Sequence, residues 1–293
     1  MSNARALKGR IRSITNTRKI TRTMELVATS KLKRAQDRVV AARPFAEALR
    51  EVIADLVTPD LQAQFPLLKQ PLAPGRGGPA RAVVILVTSN RGLAGGFNSN
   101  LIKEARRRIT ALEAEGYTVD LIGVGKKGIG YFRYLGRTFR SQRVDIGDRP
   151  TTEHAASLVE DLMQEFADGQ LGVVELVRSD FQSVMTAPPL ADRILPIPAP
   201  ESTGGTRTDY ILSPDPETLL ADVLPRYVRN AIYRGLVETA AAEQAARRTA
   251  MKNATDNAGD ILDLLKRQYN RQRQAQITQE IAELVGGAAA LQG

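Results

Sequence analysis

A chain of 293 residues with a 43% hydrophobic share has enough length and apolar content for a sizeable core or two. With no cysteine, no tryptophan and one histidine, His154, it excludes disulfides, thiolate metal sites, cysteine nucleophiles and histidine-based metal clusters. The net charge of +9 is unevenly placed: residues 1–50 carry thirteen Lys or Arg against the three acids Glu25, Asp37 and Glu47, so one end is basic and should meet something acidic. The start MSNARALKGR lacks the apolar run of a secretory signal, and no stretch approaches the ~20 apolar residues of a membrane span. The expectation is a soluble protein, or one held at a membrane by partners.

From Ser2 to about Thr58 there is no glycine after Gly9 and no proline except Pro44. Ala28, Leu32, Ala35, Val39, Ala42, Ala46, Leu49, Ile53 and Leu56 step by four and three, the narrow seam of a coiled coil. Leu7, Ile11 and Ile14 begin a similar seam that slips through Ile20 and Met24. Residues 1–58 are therefore predicted as an N-terminal coiled-coil helix. Ala73-Pro-Gly-Arg-Gly-Gly-Pro79 then interrupts the chain.

Residues 81–198 read as an α/β globular insert. Strands are predicted at Ala82–Thr88, Thr118–Val124, Val173–Arg178 and Arg193–Ile197. Helices are predicted at about Asn98–Glu115, Lys127–Leu135 and from near His154 to Ala167. Their alternation predicts a mainly parallel sheet with Rossmann-like layering of helices. His154 reads as a solvated residue in the first turn of its helix. After the loop Pro198–Gly205 the helical period returns beyond Pro216, with Pro225 expected to kink or restart it. Met251, Thr255, Ala258, Leu262, Leu265 and Tyr269 form one seam, and Ile277, Ile281, Leu284, Ala288 and Leu291 another, out of phase by one residue. Residues 210–288 are thus predicted as a C-terminal coiled-coil helix that pairs antiparallel with 1–58.

Gly123-Val-Gly125-Lys-Lys-Gly128 matches the dinucleotide fingerprint and has Asp145 downstream, but it follows the second strand rather than the first. A plain strand-to-helix turn is the preferred reading; a nucleotide-binding protein with coiled-coil oligomerisation arms is the alternative. Gly92-Leu-Ala-Gly95-Gly96 lacks the Gly-Lys-Ser/Thr ending of a phosphate loop and also reads as a turn. The basic N-terminal helix could meet phosphates, which keeps a nucleic-acid binder open, but no aromatics interleave with its charges for base stacking. Asn270-Arg-Gln-Arg-Gln-Ala-Gln276 places polar residues where a seam belongs, and is expected to face the slip near Met24. It reads as a grip for another protein or as a water-exposed stretch. No catalytic constellation is apparent.

The run from Ile14 to Lys33, ITNTRKITRTMELVATSKLK, closely resembles the amino-terminal signature of the ATP synthase F1 gamma subunit family. So do Ala250–Gly259, Ile277-Thr-Gln-Glu-Ile281 and the Gly-Gly-Ala at 286–288. Ser89–Asn98 looks like the family's central motif, with Ala94 where many members have Cys, and the chloroplast-type cysteine insert is absent. The resemblance implies a non-catalytic axle of a proton-translocating ATP synthase. It would bind no cofactor and no nucleic acid and would not enter the bilayer. Its implied partners are three alpha and three beta subunits, the epsilon subunit and the membrane c-ring, at the cytoplasmic face of a bacterial plasma membrane. By motif, Met24 is placed where the shaft faces an acidic lever of beta. Arg273, Gln274, Thr278 and Glu280 match the polar cluster beside it, and Tyr210 the foot at the rotor ring.

Overall fold

The long glycine-poor N-terminal run folds, in a computed structural model that describes residues 2–74, 76–198 and 215–291, as helix α1, Ser2–Leu56, unbroken through Pro44. It stops where Thr58-Pro59 must leave the helical region, since a proline disfavours helical backbone in the residue before it. Thr58 then caps the short α2, Pro59–Gln64, its hydroxyl accepting from the Leu61 amide. At the other end α6, Pro216–Leu291, starts on Asp215, whose carboxylate accepts from the Thr218 amide at 2.9 Å. Of the two expectations at Pro225, a kink or a restart, the restart does not occur, since Pro225 lies within one continuous element. Leu224 and Val228 on either side are buried, so packing offsets the one backbone bond a proline removes.

Between them run β1 (Arg81–Val87), α3 (Phe97–Ala114), β2 (Thr118–Val124), α4 (Lys126–Tyr134), β3 (Ser141–Arg143), α5 (Thr152–Ala167), β4 (Val173–Ser179) and β5 (Pro189–Leu195). The strands form one sheet in the order β3-β2-β1-β4-β5, parallel except for the antiparallel pair β4–β5. The mainly parallel α/β expectation holds. The fully buried runs at β1 and β4 are what a sheet covered on both faces requires.

The chain divides into two compact units, 29–247 and 1–28 with 248–293. In the larger unit alternation along β1 sends Val83, Ile85 and Val87 to one side, against α5 and the Leu220–Leu236 stretch of α6. Ala82, Val84 and Leu86 go to the other side, against α3, Phe132 of α4, and Leu32, Ala35 and Val39 of α1. Both terminal helices thus contribute to this unit's core. The buried Arg178 of β4 is held by Asp192, Glu238 and Asp180, and Arg108 grips Glu175 with two bonds of 2.8 and 2.5 Å.

In the smaller unit the two helices are antiparallel. The Thr255 hydroxyl stands 2.8 Å from that of Thr21, and Gly259 faces the Arg18 guanidinium. Met251, Thr255, Ala258, Leu262 and Leu265 are buried there, as the first C-terminal seam predicts, with Ala28 and Glu25 buried on the α1 side.

Candidate functional site

The glycines of the turn after β2 are packed against the protein's own atoms. Gly125 has φ +92°, and a side-chain carbon there would stand 2.0 Å from the Thr88 carbonyl oxygen. One at Gly123 would strike Ile129 and Phe139 at 2.6 and 2.7 Å. Its amides are already spent. Gly125 donates to the Arg143 carbonyl at 2.9 Å, Lys127 to that of Ser89 at 3.1 Å and Ile129 to that of Gly125 at 3.3 Å. Lys126 donates to Asn90 Oδ1 at 3.0 Å and Gly128 to Thr88 Oγ1 at 2.9 Å. A dinucleotide cradle needs free amides aimed at the ligand, so these glycines serve close packing. Asp145, the acid that would hold a ribose, instead takes two bonds from Arg143 at 2.9 and 2.7 Å. That hydrogen-bonding pulls its pKa down to about 2.

The second turn, 89–96, is likewise structural. Leu93 and Gly95 have positive φ, and Ser89 N donates to Asn98 Oδ1 at 3.0 Å. Arg247 of α6 donates to the Gly92 carbonyl at 3.3 Å. His154 completes a capping box: Thr151 N donates to its Nδ1 at 3.2 Å, and its own amide donates to Thr151 Oγ1 at 3.3 Å.

The terminal helices hold the remaining candidates. Met24 is half-buried in the smaller unit. The pairing of Thr21 with Thr255 and of Arg18 with Gly259 places it opposite α6 near residue 252. Asn270–Gln276 was expected to face the slip at Met24; the register corrects this. It lies opposite the first residues of α1, about 30 Å from that level at ~1.5 Å per residue. The polar cluster is therefore not beside Met24. Arg273, Gln274, Thr278 and Glu280 are exposed. Thr278 donates back to the Gln274 carbonyl at 3.0 Å, and Glu280 accepts from Gln276 Nε2 at 3.2 Å. Tyr210 lies outside the described residues.

Beyond about residue 274 the register leaves α6 no part of α1 to pack on. Ile277, Ile281, Leu284 and Val285 are 47%, 56%, 74% and 65% exposed. The second C-terminal seam was expected to pair with the N-terminal helix; its members Ile277, Ile281 and Leu284 are exposed instead. Sequence reasoning missed the groups that hold the turns and loops to the helices in the larger unit. Asp148 accepts from Lys31 at 2.5 Å and from Gln244 at 3.2 Å, and Arg247 pairs with Glu243 at 2.7 Å. Burial raises the Glu243 pKa against the pull of Arg247. Single polar residues spread over a loop and two helices carry no periodic signal that would have found them.

Residues 3–291 match the family model described as ATP synthase. The ATP synthase gamma chain of Gemmatimonas aurantiaca is 56% identical over 295 residues, spanning all of both chains. That of Mycolicibacterium smegmatis is 42% identical, covering 99% of this chain and 98% of its own. Among solved structures, a chain from the Euglena gracilis mitochondrial ATP synthase OSCP/F1/c-ring superposes with a TM-score of 0.67 at 20% identity, covering 98% of this chain and 94% of that one. A chain from the Tetrahymena thermophila mitochondrial central stalk and c-ring gives 0.59 at 23% identity, over 80% and 99%. At these identities the two structures bear on the fold.

Proposed function

The chain belongs to the ATP synthase gamma chain family, and from that premise we infer that it is the central-stalk rotor of F1, coupling ion-driven rotation to the conformational cycle of the catalytic beta subunits. Its partners are the alpha and beta subunits, the epsilon subunit and the membrane c-ring. The chain does no chemistry of its own. Nucleotide turnover belongs to the ring around it, in keeping with a glycine turn whose amides are all spent. The site is the cytoplasmic face of a bacterial plasma membrane, and no helix of the described residues is long and apolar enough to cross that membrane.

The observation that carries this reading is the end of α6. A helix that continues past its intramolecular partner, with apolar side chains open to solvent, is stable where another protein covers it. Ile277, Ile281 and Leu284 meet the interior of the alpha–beta ring. Met24, Arg273, Gln274, Thr278 and Glu280 are its polar and half-buried contacts at two separate levels, and Tyr210 belongs to the foot at the c-ring. An asymmetric shaft presents different contacts to each beta conformer at each orientation, and that difference in binding free energy shifts the conformers in turn.

Mixing the purified chain with alpha and beta subunits tests this. Strong ATPase activity should appear in the mixture and none in the chain alone; failure to join or activate the ring ends the proposal. Replacing Arg273 and Gln274 together by alanine should lower coupled synthesis while leaving thermal unfolding of the isolated chain unchanged. Unaltered synthesis would remove these two residues from the contact.

A further inference from the structure

The loop that follows β3 and the adjoining turns of α1 border an open cavity of about 380 Å³, lined by Lys31, Arg34, Arg38 and Arg149 together with Asp145 and Asp148. Among the described residues, neither carboxylate pairs with Arg34, Arg38 or Arg149. Asp145 is held by Arg143. The Asp148 carboxylate takes Lys31 and Gln244, while Arg38 reaches only its backbone carbonyl, at 2.9 Å. Arg34 donates only to Ser30 Oγ at 3.2 Å, and Arg149 has no ion pair among the described residues.

Lys31, Arg34 and Arg38 fall three and four residues apart, on one face of α1, where like charges disfavour one another. The other face behaves differently: Lys33 is matched by Asp37 at 3.0 Å, the ordinary i, i+4 neutralisation. Three guanidiniums therefore line one hollow with no carboxylate partner of their own among the described residues, while Asp148 holds two of the surrounding side chains in place. Guanidinium forks suit tetrahedral oxyanions, which accept several charge-assisted hydrogen bonds at once.

We propose that this cavity is an oxyanion site for one or two phosphoryl groups, inorganic phosphate or pyrophosphate. Its volume sits at the small end of ligand pockets, and no aromatic ring lines it to stack a nucleotide base. The cavity is independent of the rotor assignment and would stand without it.

Calorimetric titration of inorganic pyrophosphate into the full chain, at fixed ionic strength against a chloride control, tests the proposal. Saturable one-to-one binding is expected, weakening as salt is raised. Arg34→Gln and Arg149→Gln should each weaken it about tenfold, the loss expected for one charge-assisted bond. Arg149→Gln lies in a loop, so it reads out binding even if the helix substitution disturbs folding. Lys33→Gln, outside the cavity, should bind like the parent. Absence of saturable binding, or equal affinity in the arginine variants, overturns the proposal. So would variants that bind pyrophosphate normally yet fail to join the alpha–beta ring, an outcome that gives these arginines to a partner's carboxylates.

Discussion

Arg178→Met would strip the larger unit of the cation on which three acids converge. The Arg178 side chain is 7% exposed and Glu238 2%, with Asp192 and Asp180 completing the shell and Arg234 reaching Glu238 at 2.7 Å. Burial alone would lower the pKa of this guanidinium, but Asp192 and Glu238 outweigh it and hold the value above its ordinary range. Methionine matches the stem but leaves Glu238 with Arg234 alone, and Asp192 and Asp180 without their guanidinium. Breaking a buried pair by removing one member costs about 3–5 kcal/mol. Glu238→Gln is milder, because Arg178 keeps two carboxylates and the amide still accepts a bond; about 1–2 kcal/mol is expected. Urea unfolding of the isolated chain followed by circular dichroism should rank the parent above Glu238→Gln and Glu238→Gln above Arg178→Met. If Arg178→Met stays within 1 kcal/mol of the parent, the network is not holding β4 and β5 to α6, and the reasoning fails.

Gly125→Ala should destabilise by about 3 kcal/mol or more, since a left-handed backbone alone costs ~1–2 kcal/mol and the Thr88 carbonyl blocks the added carbon. Gly130→Ala, in α4 with open space around it, should stabilise by about 0.5–1 kcal/mol; thermal melts of the two variants check the pair. Asp145 contributes stability above its unfolded pKa of 3.8, and loses it as pH falls toward the folded value of about 2. Because that side chain is 53% exposed, Asp145→Asn should cost under about 1 kcal/mol at neutral pH, and that cost should vanish as pH falls through this window in acid unfolding. Leu262→Ala, in the buried seam, should cost about 2–5 kcal/mol. Ile281→Ser should leave the chain's own unfolding unchanged while weakening its capture by the alpha–beta ring, measured by co-purification.

What could be read from the sequence follows the strength of the local signal. α1, α6 and the strands β1, β2 and β4 announce themselves, because long seams and buried apolar runs have few other meanings. β3 does not: Ser141–Arg143 is three residues, polar, and paired only with β2. β5 begins at Pro189, five residues before its apolar end at Ile194, and its open, mixed burial hides an edge strand. The register of α1 against α6 was the costlier miss. A heptad seam looks the same after a slip of seven residues, so periodicity alone put the polar break opposite Met24. Two irregular positions settle it, the hydroxyl pair of Thr21 with Thr255 and the approach of Arg18 to Gly259. The polar break at Asn270–Gln276 was legible as a break; its distance from Met24 was not, because it depends on that register.

The contact between Thr21 and Thr255 joins residues 234 positions apart, the two arms of a helix pair separated by a whole α/β unit. A ribosome adding ~5–20 residues per second makes the second arm about 12–47 s after the first. Throughout that interval Leu7, Ile11, Ile14 and Ala28 have no seam to close against. The α/β unit cannot be completed early either, since Leu220–Leu236 of α6 belong to its core. Birth order therefore works against this chain. Its first-made helix waits longest for its partner, and truncation anywhere before residue 248 would release an unpaired basic helix into the cell.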